Sequence, residues 1–167
     1  MDRRSLIKST FILGTGTWLL PSLLSGCSAD SQFALKRLKL TRKEERLLEL
    51  LSETIIPKTD TPGARDLGVP VFIAKMIDDC SSAEELALFS KGMELFAKST
   101  VNGKSFERAS TDERIRFLED AHEETLQLFL AAVRTRTIEA YAYSKYVMTK
   151  LVPYKLVPGP FKGQLKL

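Results

Sequence analysis

Histidine is almost missing from this chain: His122 is the single one in 167 residues. Its acidic neighbours Asp120, Glu123 and Glu124 sit too close in sequence to converge with it on one helix face, whereas a metal site draws its ligands from several elements. Cysteine is nearly as scarce, with only Cys27 and Cys80. There is no CxxCH haem attachment site, no Gly-rich phosphate loop, no Rossmann fingerprint and no nucleophile elbow. Asp78-Asp79 beside Cys80 reads as a helix end rather than a catalytic pair. These absences leave no catalytic, cofactor-binding or metal residue to name. No apolar run reaches the roughly 20 residues needed to span a bilayer. No stretch alternates well enough to argue for a sheet. Acidic side chains are absent after Glu139, where Lys145, Lys150, Lys155, Lys162 and Lys166 all fall. Such a basic run is either a solvated surface or a face for an acidic partner or anionic lipid.

The N-terminus has a recognisable pattern. A basic opening, Met1-Asp2-Arg3-Arg4-Ser5-Leu6-Ile7-Lys8, is followed by the apolar stretch Phe11–Leu24. This has the form of an export signal. Arg3-Arg4 with Leu6, Ile7 and Lys8 resembles the twin-arginine motif, which sends folded cargo across the membrane; a general secretory signal is the alternative. Leu24-Ser25-Gly26-Cys27 resembles a bacterial lipobox, in which the cysteine becomes the first residue and carries acyl chains. Two or more chains give stable anchoring, at about 0.8 kcal/mol per buried CH₂. Residues 1–26 are thus expected to be the signal and residues 27–40 a tether, whose weakly alternating stretch Phe33–Leu40 is a candidate to pack on the domain edge. The working chain is expected on the periplasmic side of the bacterial envelope, held to a membrane through Cys27. Removing the signal takes away Arg3, Arg4 and Lys8 with Asp2, so the formal net charge of +4 falls to +2. That balance argues against nucleic acid. Only Cys80 would then remain, and its place at the end of an apolar helical pattern predicts a buried thiol.

Residues 41–167 read as one all-α domain, a single compact helical unit of about five helices with an extended C-terminal arm. Thr41 with Glu44 forms a capping box, and Leu47, Leu48, Leu51 and Ile55 follow at helical spacing until Pro57. Lys58–Gly68 is dense in turn formers. Pro70 sits where a first turn tolerates it, ahead of Phe72, Ile73, Met76 and Ile77. Ser82 with Glu85 caps a third helix bearing Leu86, Phe89, Met93 and Phe96, and Asn102-Gly103 turns the chain. Ser110 with Glu113 starts a fourth, with Ile115 and Leu118 expected to face inward. A long helical pattern runs from Glu123 to about Thr149, its apolar face carrying Leu126, Phe129, Leu130, Val133, Ile138 and Tyr141. Prolines 153, 158 and 160 keep residues 151–167 out of a helix.

Two segments carry a further resemblance. Ile55-Ile56-Pro57, then Thr61-Pro62-Gly63-Ala64, then Gly68-Val69 with Phe72-Ile73 resembles the signature of the gluconate 2-dehydrogenase subunit 3 family. Val157-Pro158-Gly159-Pro160-Phe161-Lys162-Gly163 resembles its C-terminal ending, and departs from it where Gln164 replaces a frequent cysteine. The resemblance implies a non-catalytic small subunit that binds no cofactor itself. The partner it implies is a large FAD-dependent dehydrogenase subunit acting on a sugar, sugar acid or polyol, with electrons passing on to a cytochrome c subunit or another membrane acceptor. Pro62, Gly63, Val157, Pro158, Gly159 and Phe161 become candidates for contact with that partner, since prolines lower the entropy lost when an arm is ordered. The reading from another class is a free-standing lipid-anchored helical scaffold or binding protein, which composition fits equally well.

Overall fold

The computed structural model describes residues 33–152 and Gly159. The chain divides into two units, Met1–Asp30 and Ser31–Leu167. The first lies wholly outside the described residues, and with it Arg3, Arg4 and Cys27; so do Val157, Pro158 and Phe161 of the expected arm.

Local chemistry sets the helix starts. Helix α1 (Arg42–Ile55), α3 (Ala83–Lys98) and α4 (Thr111–Glu119) each open on a complete capping box, formed by Thr41/Glu44, Ser82/Glu85 and Ser110/Glu113. In each, a hydroxyl accepts the N–H of the third residue and a glutamate accepts the N–H of the cap, so two orphan donors are satisfied at once. Helix α2 (Val69–Cys80) starts with Pro70 in its first turn, and α5 runs Glu124–Ala142. The all-α expectation holds, with one small addition. Strands β1 (Thr100–Val101) and β2 (Lys104–Ser105) pair antiparallel, and the turn between them has positive φ at Asn102 and Gly103. Both turn residues tolerate that region, which makes Asn-Gly the natural hairpin turn. Two residues per strand are too few for alternation to show in a sequence.

Helix α5 is the spine, crossing α3, α2 and α1. Gly92 allows the closest approach: a Cβ there would overlap the Phe129 side chain. Around the crossing lie Phe89, Met93, Phe96, Phe129 and Val133, all buried, with Leu48, Leu51, Ile73 and Ile77 from α1 and α2. Phe96 meets Phe106 edge-on with ring centroids 4.8 Å apart, and Phe89 meets Phe129 at 5.1 Å. Such tilted aromatic pairs add about 0.5–1.5 kcal/mol beyond the area they bury.

The structure corrects the sequence reading at several places. The expected tether is partly domain: Phe33, Leu38 and Leu40 are buried in the core. They form a strap across the C-terminal end of α2. Asp78, only 3% exposed, accepts the backbone N–H of Lys36 (2.7 Å), Arg37 (2.6 Å) and Leu38 (2.6 Å). Burial would raise its carboxyl, but the three N–H donors and the Arg37 charge outweigh that and hold it below its ordinary value. The Arg37 guanidinium also donates to the carbonyls of Asp78 and Ser81. With Ile77, Asp78 and Ser81 turned inward, Cys80 is exposed rather than buried.

Phe72, Ile115 and Ile138, expected to face inward, are exposed. Ile73 and Ala74 take the inward places on α2, and Phe117 packs against the core from α4. On α5 the buried stripe is Leu126, Phe129, Leu130, Val133 and Thr137, which leaves Ile138 one step outside it. Thr137 is tolerated there because its hydroxyl donates back to the Val133 carbonyl at 2.7 Å. The last helix is also shorter than expected. It ends at Ala142 with Tyr143 as its cap, and Ser144 begins a new turn by accepting the N–H of Val147, leading into a π-helical turn at Val147–Leu151. A serine hydroxyl competing for backbone donors breaks the run without help from Pro or Gly.

Candidate partner-docking site

The segment between α1 and α2 has no regular structure, yet it is held at many points. Glu53, in the last turn of α1, reaches across it: one carboxylate oxygen accepts the N–H of Lys58 at 2.9 Å, the other that of Arg65 at 3.0 Å. Gly63 is buried beneath this carboxylate, and a Cβ there would overlap it. The Ala64 N–H donates to the Ile56 carbonyl and the Val69 N–H to the Ala64 carbonyl, tying the loop to the helix on either side. Two ion pairs flank it, the exposed Lys58–Asp66 (3.0 Å) and Arg65–Glu49 (3.2 Å), in which Glu49 is half-buried. The loop is therefore a preformed surface.

Helix α5 fixes its far edge. The Tyr141 hydroxyl donates to the Pro62 carbonyl at 2.9 Å and lies 3.4 Å from the Thr61 hydroxyl. This joins the Thr-Pro-Gly-Ala turn to the helix end from which the C-terminal segment departs. Tyr143 (78% exposed), Leu151 and Val152 stand exposed just beyond that point. Beside the loop, a groove between α1, α4 and α5 is lined by Ile55, Ile56, Ile115, Leu118 and Ile138. Exposed apolar side chains gathered next to a rigid turn are what a protein partner can bury.

The sequence-derived candidates divide accordingly. Pro62 is half-buried with its carbonyl engaged by Tyr141, and Gly63 faces inward, so its lack of a side chain serves the loop's own packing. Gly159 is exposed. Sequence pattern does not mark Glu53, Tyr143, Ile115 or Ile138 as site residues. Only the Pro-Gly turn hinted at what Glu53 does, and nothing in the pattern hinted at the outward isoleucines.

His122 is exposed between α4 and α5, and no group of three or more His, Cys, Asp or Glu side chains converges among the described residues. No helix among them is long and apolar enough to cross a membrane.

No curated protein and no solved structure matches the chain. A family does: the one described as Gluconate 2-dehydrogenase subunit 3 matches residues 42–159, a span that runs from the first turn of α1 through the loop and α5 to the Pro-Gly of the C-terminal segment. With more than half its length matched, and the turn motif built into the best-defined surface of the fold, this chain belongs to the gluconate 2-dehydrogenase subunit 3 family.

Proposed function

We propose that this chain is the non-catalytic small subunit of a periplasmic, membrane-bound FAD-dependent oxidoreductase of the gluconate 2-dehydrogenase type. In this reading it helps the flavoprotein subunit to fold, accompanies it through twin-arginine export as a folded pair, and tethers it through Cys27. A cytochrome c subunit or another membrane acceptor would take the electrons. The observation that carries the proposal is the Tyr141–Pro62 link, which ties the family's turn motif to the end of α5, next to the exposed Tyr143. The flavin belongs to the partner. The loop is no phosphate cradle, because Glu53 already occupies the N–H groups of Lys58 and Arg65 and would repel an anion.

The work of the chain is then positioning. A preformed loop loses little entropy on docking, and a proline-rich arm loses less than a flexible one. Affinity purification of the native protein followed by a flavin absorbance scan tests this: a yellow complex is expected, and a colourless monomer overturns the proposal in favour of a free-standing scaffold. Deleting residues 153–167 should lower the yield of flavoprotein; undiminished yield removes the arm from the contact. Replacing Arg3 and Arg4 by Lys should strand both subunits inside the cell, and export of the partner alone would end the idea of shared transport.

A further inference from the structure

The charge of the described domain is split along the chain. Residues 33–46 hold six basic side chains against two acidic ones, whereas residues 47–152 hold thirteen against seventeen. A domain with no net charge over its described span thus carries a basic end and an acidic body. The two acids within the basic end are both engaged. Glu44 accepts the Thr41 N–H and hydroxyl in the capping box, and Glu45 is buried, accepting the Phe33 N–H. Lys36, Lys39 and Lys43 are exposed and take part in no ion pair among the described residues.

The strap holds Lys36 and Lys39 on the outside, and Lys43 lies in the first turn of α1. Asp78 grips the backbone at residues 36–38, and Leu38 and Leu40 point into the core on either side of Lys39. Their backbone is fixed before any ligand arrives, so little ordering cost remains on binding. Only five residues separate Phe33 from Cys27. A chain of that length reaches no further than about 20 Å when fully extended.

We propose that the strap and the start of α1, through Lys36, Lys39 and Lys43, form a docking surface for anionic phospholipid headgroups, which sets the domain against the membrane that holds Cys27. The assignment of the membrane rests on the lipid-anchor reading above; the headgroup chemistry rests on the charge split. Near an anionic surface each lysine contributes roughly a fivefold gain in binding, and three together on the order of a hundredfold. The attraction decays within about 8 Å at physiological salt, and the short connection to Cys27 raises the effective concentration of the lysines near that surface.

The test uses the chain from residue 27 onward with Cys27→Ser, which removes the acylation site. Flotation with phosphatidylcholine vesicles, with and without phosphatidylglycerol, should show binding only to the anionic ones, lost at high salt. Lys36→Gln, Lys39→Gln and Lys43→Gln together should weaken it on the order of a hundredfold, with the circular dichroism spectrum unchanged. Lys155→Gln, Lys162→Gln and Lys166→Gln together should leave most of the binding in place. Equal binding to neutral vesicles, no binding to anionic ones, or loss only in the C-terminal set overturns the proposal. So does a strap variant that keeps vesicle binding but no longer retains the flavoprotein, which would make the patch a protein contact. Palmitate labelling of the Cys27 protein in cells tests the anchor separately: an unlabelled protein whose purified domain still floats sinks the anchor and keeps the surface.

Discussion

The strap at residues 33–40 and the loop between α1 and α2 solve one problem in two ways. Each is irregular backbone whose N–H groups lack helical partners, and in each a single carboxylate from a neighbouring helix collects them. Asp78 takes three and Glu53 takes two. The strap, however, drives Phe33, Leu38 and Leu40 into the core and buries its carboxylate, whereas most of the loop remains at the surface and Glu53 is half-buried. The first arrangement makes irregular chain part of the fold. The second makes it a stiff surface that another protein can use. Burial of the carboxylate, more than the number of bonds it accepts, separates the two.

That contrast is sharpest at the carboxylates themselves. Asp78→Ala strands one buried and two part-buried N–H groups, and should cost about 3–5 kcal/mol in urea unfolding. Asp78→Asn should cost less, because an amide oxygen still accepts. Glu53→Ala leaves its N–H groups within reach of water and should cost about 1 kcal/mol. If the two alanine variants cost the same, burial is not what distinguishes the strap from the loop.

Next in size is Gly63→Ala, expected at about 1–2 kcal/mol because the new methyl displaces the Glu53 carboxylate from its donors. The double variant with Glu53→Ala should cost little more than Glu53→Ala alone. Additive costs would mean that Gly63 is needed for another reason. Tyr141→Phe removes the hydroxyl that holds Pro62, for about 1 kcal/mol of stability. If the proposed pairing with a flavoprotein holds, it should also lower retention of that subunit, because the loop edge is then free to move.

Acid should loosen the strap, and the direction follows from Asp78. The Asp78 carboxyl, despite burial, is held low by its backbone donors, so its folded value lies below its unfolded one. Its contribution is complete above about pH 4 and is lost as pH falls through the folded value. Glu113 behaves in the same direction. The backbone N–H of Ser110, then Asn102 and the Ser110 hydroxyl, hold its carboxyl down to about 2. Stability measured from pH 5 downward should fall less steeply in Asp78→Asn than in the native chain. The smallest effect belongs to Lys58→Ala. The Lys58–Asp66 pair is exposed, and its loss should change stability by less than about 0.5 kcal/mol.

Much of this was legible in the sequence. Capping boxes read true because they are local: a hydroxyl and a glutamate three residues apart need no tertiary help. The turn at Thr61–Ala64 was visible as a turn and as a family motif. What escaped were polar residues acting as core. Asp78, Glu45 and Thr137 are buried only because each finds a partner inside, the first two with backbone N–H groups about 40 and 12 residues away. A hydrophobic pattern assigns such positions to the surface and shifts the stripe by one, which is how Ile138 came to be placed inward. The apolar residues of the strap alternate too weakly to announce more than packing on the domain edge; their full burial goes with the grip of Asp78, which the pattern does not show.

The Tyr141–Pro62 bond joins positions 79 residues apart. In kinetic terms it is a late, non-local closure: the turn is synthesised early, but its clasp leaves the ribosome only when the last helix does. A nascent or truncated chain ending before residue 141 carries the turn motif with its carbonyl unclasped. The outer edge of the loop is therefore clasped only in a chain that extends through the last helix, while its bonds to Glu53 form within the first two.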